Sequence, residues 1–209
     1  MTITVDRRIA ELLCSRICHE LVAGVAAINN GVELISEIDP SMLDEAMELI
    51  GSSAKQASVR VQYYRMAYGF AGYDALAGMP AVTDLIKSLV ETESRFTLEA
   101  PGDTPTLEAG WGKLLLNLFV LGMDCLPRGG AIAPAVAVNG GKAVISVTGR
   151  GQEARVSDRY RDILSRDVAS EEVTALNVHA YYTAALATEI GSGINMEVQD
   201  GVVSLRVNA

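Results

Sequence analysis

The chain has 209 residues, of which 49% are hydrophobic and 21% are charged, and its 26 acidic residues against 17 basic ones give a formal net charge of −9. This composition provides enough apolar side chains for a folded core and excludes a disordered chain. The negative charge disfavours partners with a phosphate backbone, so nucleic acid is not expected as a ligand.

The first residues, MTITVDRRIAELL, lack the basic and then apolar pattern of a signal peptide. No apolar run approaches the roughly 18 residues that a membrane-spanning helix needs. The three cysteines, Cys14, Cys18 and Cys125, are an odd number, which favours reduced thiols over a disulfide framework. We therefore expect a cytoplasmic protein that is not inserted in a membrane.

Helical periodicity runs from Arg7 to about Tyr73, in two segments separated by a break at Pro40. Ser41 followed by Asp44 resembles a capping box and predicts where the second helix begins. Apolar residues in the first segment recur at steps of three and four: Leu13, Ile17, Leu21, Val25, Ile28, Val32 and Ile35. The second segment follows a heptad-like seam: Leu43, Met47, Ile50, Ala54, Ala57, Val61, Tyr64 and Tyr68.

This pattern predicts two long helices in an antiparallel hairpin. A lone hairpin cannot bury both apolar faces. We therefore expect a homodimer, in which two hairpins form a four-helix bundle.

The second part of the chain mixes helical and strand patterns after a boundary at GYDALAGMP, residues 72–80. The patterns predict, in chain order, a helix at AVTDLIKSLVE, a strand at RFTLEA, a helix at TLEAGWGKLLLNLFVLGMDCL, a hairpin over Gly140-Gly141, a helix at ALNVHAYYTAALATEIG and a hairpin over Asp200-Gly201. This order predicts an α+β sandwich with helices on one face of a mixed sheet. We expect two domains, at residues 1–75 and 76–209.

His19, in the segment CSRICHEL, is one of two histidines in the chain. On a wheel of about 100° per residue it lies about 170° from the centre of the first apolar stripe, so it should point away from the core. Cys14 and Cys18 share a helix face that His19 does not, and no second Cys/His cluster exists to complete a zinc site. Arg16 and Glu20 are spaced as a weak i,i+4 ion pair. The residues alone leave open a plain surface histidine and a reactive one.

Four segments in order carry a resemblance to a known family: LCSRICHELVAGVAAINNGVELI, AMELIGSSAKQASVRVQYYRMAYG, KLLLNLFVLGMDCLPRGG and AYYTAALATEIG. The chain resembles the ChpT-like histidine phosphotransferases of alphaproteobacterial phosphorelays over nearly its whole length. The resemblance implies a dimer built like a sensor kinase, with a phosphotransfer bundle followed by a degenerate ATP-binding fold. It also implies that His19 accepts the phosphoryl group and that Glu20 orients the ring or takes its proton. Where relatives have His-Asp and then a Ser-Pro or similar step, this chain has Glu20 and Ala23-Gly24, without the hydroxyl.

The kinase-like half departs from a working ATP site in three places. Asn117 matches one position of the N-box, but Leu121 stands where the metal-binding Asn would be. Gly149 and Gly151 lack the Asp of the adenine-pocket motif, and no Gly-x-Gly lid precedes VHAYYTAAL. The resemblance therefore implies a protein without ATP or another cofactor of its own, which relays phosphate between receiver-domain aspartates while the receiver supplies Mg²⁺. The alternatives are a non-catalytic dimeric adaptor for response regulators and, less favoured, an ATP-dependent histidine kinase.

The expected partners are receiver domains of a hybrid histidine kinase and of response regulators. Small residues beside His19 predict a flat patch on which a receiver could dock, although tight helix packing explains them equally well. Counting from a turn near Ile38 places Ala54, Ala57 and Ser58 level with His19. The candidate docking residues are Arg16, Ala23, Ala26, Ala57 and Ser58. A second docking surface is expected at Arg150, Arg155, Arg159 and Arg161, and His179 is expected to be structural or on the surface.

Overall fold

A computed structural model describes residues 6–37, 42–69, 79–99, 110–139, 142–165 and 168–208. The described residues form, in chain order, α1 (Arg7–Glu37), α2 (Leu43–Tyr68), α3 (Met79–Glu91), β1 (Phe96–Leu98), α4 (Trp111–Asp124), β2 (Gly130–Asn139), β3 (Lys142–Arg150), α5 (Asp158–Ser165), a 3-10 turn (Ser170–Glu172), α6 (Val178–Glu189), β4 (Ile194–Gln199) and β5 (Val202–Asn208). Every helix in these ranges is too short or too polar to cross a bilayer.

The helices α1 and α2 pack antiparallel and approach each other closely at two glycines. A Cβ added to Gly24 would lie 3.1 Å from the Cβ of Ala57, and one added to Gly31 would lie 2.4 Å from Cγ1 of Ile50. This register places Ala57 beside Gly24 instead of His19. The predicted position of Ala57 along α1 was wrong by about one helical turn, because a turn centred at Ile38 is too early in the chain.

The two hairpin helices are only partly buried. Ile17 and Leu21 pack against the core, whereas Val25 and Val32 of the same predicted stripe remain 51% and 55% exposed. The helix α2 begins after Met42, which forms no side-chain cap, and the proposed cap at Ser41 lies outside the described residues. The buried residues of α2 are Ala46, Ser53, Tyr63, Tyr64 and Ala67. The hairpin therefore joins the core mainly through the C-terminal end of α2.

The five strands form one sheet in the order β1-β2-β3-β5-β4. Strands β1 and β2 are parallel, and all the other neighbours are antiparallel. The last hairpin turns at Asp200 and Gly201, whose φ angles of 49° and 76° fit the type I′ turn that an Asp-Gly pair favours. The predicted α+β class with a mixed sheet is confirmed, and the Gly140-Gly141 turn lies outside the described residues.

The helix α4 lies at the centre of the core and holds the end of α2. Twelve of its 14 residues are buried, among them the apolar side chains that cover the sheet. The side-chain amide of Asn117 donates a hydrogen bond of 2.8 Å to the carbonyl of Ala67, and the ammonium of Lys113 donates one of 2.6 Å to that of Gly69. These donors satisfy carbonyls that the end of a helix leaves without partners.

The helix α5 was not predicted, because its two turns are charged and bury only Tyr160 and Ile163, too few for a visible period. Met79 and Pro80, assigned to the domain boundary, are the first residues of α3. The division between residues 75 and 76 stays a prediction, since residues 70–78 lie outside the described ranges.

Candidate functional site

His19 is exposed on α1, as the helical wheel predicts. Its imidazole forms no hydrogen bond or ion pair with any described residue. It opens into a cleft of about 550 Å³ between α1 and the C-terminal part of the chain. The cleft is lined by Ser15, Arg16, His19 and Glu20 on one side and by Asp124, Arg159, Tyr160, Ala175 and Leu176 on the other. A histidine in this position can react with a group brought from solvent.

Glu20 is held by α2. The Arg60 guanidinium donates hydrogen bonds to the Glu20 carboxylate at 3.1 Å and to the Glu20 carbonyl at 3.2 Å. The second terminal nitrogen of the Arg60 guanidinium, Nη2, pairs with the carboxylate of Glu93, a residue that follows α3. Burial lowers the pKa of Arg60, but the hydrogen bond and charge of Glu93 outweigh it and raise that pKa above its ordinary value. Arg60 therefore stays charged and fixes the carboxylate that follows His19.

Arg16 also has a partner other than the predicted one. Its guanidinium donates a hydrogen bond of 3.1 Å to Oδ2 of Asp124, the last residue of α4. The predicted i,i+4 pair between Arg16 and Glu20 was wrong, because each side chain pairs with a residue of another helix instead. Only 14% of the Arg16 side chain is exposed, so little of it is left to meet a docking protein.

Asp124 joins several helices at one carboxylate oxygen. Besides Arg16, the Tyr160 hydroxyl of α5 donates to Oδ2 of Asp124 at 2.7 Å, and Nδ1 of His179 in α6 lies 3.9 Å from the same oxygen. Burial would raise the pKa of Asp124, but the interaction with His179 and the positive charge of Arg16 lower it to about 2. Asp124 is thus ionised at every physiological pH.

His179 is fully buried, and so belongs to the structure rather than to the surface. Burial lowers the pKa of its imidazole below the ordinary value, against the opposing effect of Asp124. Its ring lies 6.0 Å from that of Tyr68, in an edge-on arrangement. The neutral ring serves as packing between α6 and the end of α2.

The remaining predicted docking residues lie on both hairpin helices. Ala23 and Ala26 are exposed on α1, and Ser58 is exposed on α2. Ala57 is partly buried because it packs against Gly24. The small residues therefore serve close helix packing at Ala57 and leave a low, open surface at the other three positions.

The four arginines of the C-terminal part divide into two pairs. Arg150 and Arg155 form ion pairs with Glu99 and Glu153 at 2.7 and 3.7 Å. Arg159 and Arg161 are exposed on α5, and Arg159 stacks 5.3 Å from the centre of the Tyr160 ring. Arg159 alone among the four lines the His19 cleft.

The positions compared with an ATP site have structural tasks. Asn117 is fully buried and its amide also donates to the Lys113 carbonyl at 2.9 Å, while Leu121 is fully buried in the core. A Cβ on Gly151 would lie 2.3 Å from the carbonyl oxygen of Gly129. Across the described ranges, no three His, Cys, Asp or Glu side chains are grouped so that they could hold a metal ion.

The sequence did not single out Arg60, Glu93, Asp124 or Tyr160. One signal was present for Asp124, because an acidic residue at the end of an apolar helix is disfavoured by the helix dipole unless a cation compensates it. Nothing in the sequence indicated which cation, since Arg16 is 108 residues away.

Known proteins match the chain over most of its length. The model of the histidine phosphotransferase C-terminal domain matches residues 81–202. The protein phosphotransferase ChpT of Brucella abortus (strain 2308) is 36% identical over 190 residues, which cover 88% of each chain. A solved bacterial phosphotransferase is 30% identical, with a TM-score of 0.85 over 100% of this chain and 98% of its own. The Acinetobacter baumannii histidine kinase AdeS is 11% identical, with a TM-score of 0.47 over 91% of this chain and 96% of its own.

The family model covers more than half of the chain, and the relative from Brucella exceeds 30% identity over most of both sequences. These two matches bear out the resemblance seen in the sequence. The chain belongs to the histidine phosphotransferase family.

Proposed function

We propose that the chain carries a phosphoryl group on His19 between the aspartates of receiver domains in a phosphorelay. The observation that supports this role is the exposed imidazole of His19, which has no partner among the described residues and opens into a cleft wide enough for another protein's side chains. A carrier needs such an arrangement, because its nucleophile must meet both donor and acceptor without rearrangement of the chain.

The transfer is a displacement at phosphorus. The lone pair of the unprotonated imidazole nitrogen attacks the phosphorus of an aspartyl phosphate, the bond from phosphorus to the aspartate oxygen breaks, and the carboxylate leaves with the electron pair. The second ring nitrogen keeps its proton until a base or solvent removes it. In the reverse step the second ring nitrogen takes up a proton, a carboxylate oxygen of the acceptor aspartate attacks the phosphorus, and the bond from phosphorus to nitrogen breaks to leave neutral His19. Positioning and charge neutralisation provide most of the catalysis in such reactions.

Glu20 contributes a fixed negative charge beside the reacting ring. Arg60 binds one oxygen of its carboxylate, and the side chain lines the His19 cleft. We assign Glu20 the orientation of the ring or the removal of its proton as the phosphoryl group arrives. We expect Mg²⁺ to come from the receiver domain and not from this chain.

The receiver domain would rest on α1 and on the second wall of the cleft. Ala23, Ala26 and Ser58 present a low surface on the hairpin. The opposite wall contains Leu176, which is 63% exposed, and the exposed Arg159. An apolar contact beside a guanidinium suits a partner that presents an anionic phosphoryl group within an apolar rim.

We further propose that two copies of the chain form a four-helix bundle. The predicted seam of α2 is exposed at Leu43, Met47 and Val61, and the face of α1 at Val25 and Val32. An apolar stripe of this length on two neighbouring helices matches a second copy of the same hairpin. The two His19 side chains would then lie on the outside of one bundle.

Transfer from a receiver domain of the same organism tests the carrier role. The receiver is labelled with ³²P-phosphate, freed of its donor and mixed with wild type, with His19→Ala, or with Asn30→Ala as a control on the same helix. We expect acid-labile label on wild type and on Asn30→Ala, and none on His19→Ala. Equal loss of receiver phosphate with His19→Ala would instead identify an adaptor. Labelling of wild type by ATP alone would identify a kinase.

A further inference from the structure

A single carboxylate joins the helix that carries His19 to the opposite wall of its cleft. Oδ2 of Asp124 accepts one hydrogen bond from Arg16 of α1 at 3.1 Å and one from Tyr160 of α5 at 2.7 Å. Arg16 lies one helical turn before His19, and Tyr160 directly follows Arg159 of the facing wall. Asp124 forms no hydrogen bond or ion pair with His19 itself. Within the chain, Asp124 reaches the helix of His19 through Arg16 and the facing wall through Tyr160, the two side chains that donate hydrogen bonds to it.

The location of Asp124 argues against a role in the stability of its own helix. It is the last residue of α4, where the helix dipole disfavours a negative charge. The guanidinium of Arg16 and the hydroxyl of Tyr160 compensate that charge from outside the helix. The carboxylate remains ionised because its pKa is lowered to about 2, by the interaction with His179 and the charge of Arg16 against the effect of burial.

A second contact ties the same two walls together near the start of α1. The Arg8 guanidinium donates hydrogen bonds of 3.1 Å to the carbonyl of Ser170 and 2.9 Å to that of Val173. This segment leads directly to Ala175 and Leu176, which line the cleft. The wall opposite His19 is thus fastened to α1 at two points, two helical turns apart.

We propose that Asp124 is a positioning residue for phosphoryl transfer, which keeps α5 and Leu176 beside His19 by binding Arg16 and Tyr160 with one oxygen. The inference rests on the proposed carrier function. A receiver then meets His19 and a second docking wall in one fixed arrangement. The geometry of the cleft, and not the reactivity of the imidazole, is what Asp124 provides.

The substitution Asp124→Asn keeps the shape of the side chain and removes its charge. We expect the receiver concentration at half-maximal transfer rate to rise about tenfold, as is usual when a charge-assisted hydrogen bond is weakened. Labelling of His19 by phosphoramidate, a small donor that needs no docking wall, should change less than twofold. The matched control is Asp84→Asn, an exposed aspartate on α3, which should leave both measurements unchanged.

Two results would overturn the positioning role. The first is an equal loss of labelling by receiver and by phosphoramidate, which would indicate general damage to the fold. The second concerns the double variant of Arg16→Gln and Asp124→Asn. If both changes act through one contact, its transfer should be within about twofold of that of Asp124→Asn, and losses that add up would contradict the positioning role. Asp124→Glu, which restores the charge, should recover part of the loss.

Hydrogen exchange separates this inference from the carrier function. In Asp124→Asn without any receiver, the amides of α5 (Asp158–Ser165) should exchange faster than in wild type, and those of α3 should not. If wild-type protein accepts no phosphate from a receiver, the proposed function is wrong, but exchange still tests whether Asp124 fastens α5. Unchanged exchange in α5 would show that Asp124 does not hold this wall.

Discussion

The α1–α2 hairpin and the α/β part of the chain differ in how completely each is closed on itself. In α4 all but two residues are buried, whereas in the described part of α1 Gly31 is the only buried residue. The core therefore lies around α4 and includes the C-terminal end of α2, whereas the rest of the hairpin exposes apolar positions such as Val25 and Val32. We expect this difference to separate two tasks: the closed part would supply a fixed wall for docking, and the open part would supply His19 and the apolar face for a second copy.

The largest expected effect is in the closed part. Leu118 is fully buried in α4, so Leu118→Ala should lower the free energy of unfolding by about 2–5 kcal/mol through lost burial and a residual cavity. The measurement is urea unfolding followed by circular dichroism. Leu34 is 44% exposed on α1, so the same change there should have an effect below about 0.5 kcal/mol in dilute protein. Equal losses at both positions would show that this region of the hairpin is closed as well.

The second prediction concerns the open face of the hairpin. Val25→Glu places a charge within the proposed dimer interface, where it would have to lose its hydration. We expect the dimer dissociation constant, measured by analytical ultracentrifugation, to rise by a factor of about 100 or more. The helical content, measured by circular dichroism, should be retained.

A matched position in the α/β part provides the control for that experiment. Val138 of β2 is 51% exposed, as is Val25. Val138→Glu should therefore leave the state of association unchanged. If Val25→Glu also leaves it unchanged, the exposed hairpin face is not the dimer interface.

The sequence predicted local elements well because their signals are local. The seam from Leu43 to Tyr68 matches the bounds of α2, although the helical pattern was predicted to continue to about Tyr73 and the backbone is already extended at Gly69. The Asp200-Gly201 turn follows from the backbone preference of that pair. The exposure of His19 followed from helix geometry alone. These features depend on residues within a few turns of each other.

What the sequence did not reveal depends on long-range contacts. Arg60 meets Glu20 across the hairpin, and Asp124 meets Arg16 across the two parts of the chain. A single sequence contains no information on which distant charges meet, so the i,i+4 pair of Arg16 with Glu20 was the nearest available interpretation. The prediction that Ala57 lies level with His19 was wrong for a related reason. The register of α1 against α2 depends on the close approach at Gly24 and Gly31, which only packing determines.

The third prediction concerns the buried histidine of the closed part and its effect on the pH dependence of stability. The pKa of buried His179 is lowered from 6.5, so the unfolded chain binds a proton that the folded chain does not. Its contribution is fully present above about pH 6.5 and decreases as the pH falls, with a slope approaching about 1.4 kcal/mol per pH unit. Asp124 opposes this shift and Arg16 reinforces it.

Urea unfolding between pH 7.5 and 5 would measure this slope. His179→Gln removes the titrating group from the closed part and should flatten the decrease in stability. Asn30→Ala, on the open hairpin, should keep the wild-type slope. An identical slope in His179→Gln would assign the acid sensitivity to other groups.

The smallest expected effect is a difference in stability between alanine substitutions at two glycines of the hairpin. Gly51 lies inside α2 with no atom of the described residues within 4 Å of an added Cβ, so Gly51→Ala should stabilise the helix by up to about 1 kcal/mol. In Gly31→Ala the new methyl group would lie 2.4 Å from Cγ1 of Ile50, and the displacement of Ile50 should offset that gain. Thermal unfolding of both variants in dilute protein measures the difference. If Gly51→Ala instead weakens dimerisation, a second copy packs closely at Gly51, and the open side of the hairpin extends to that position.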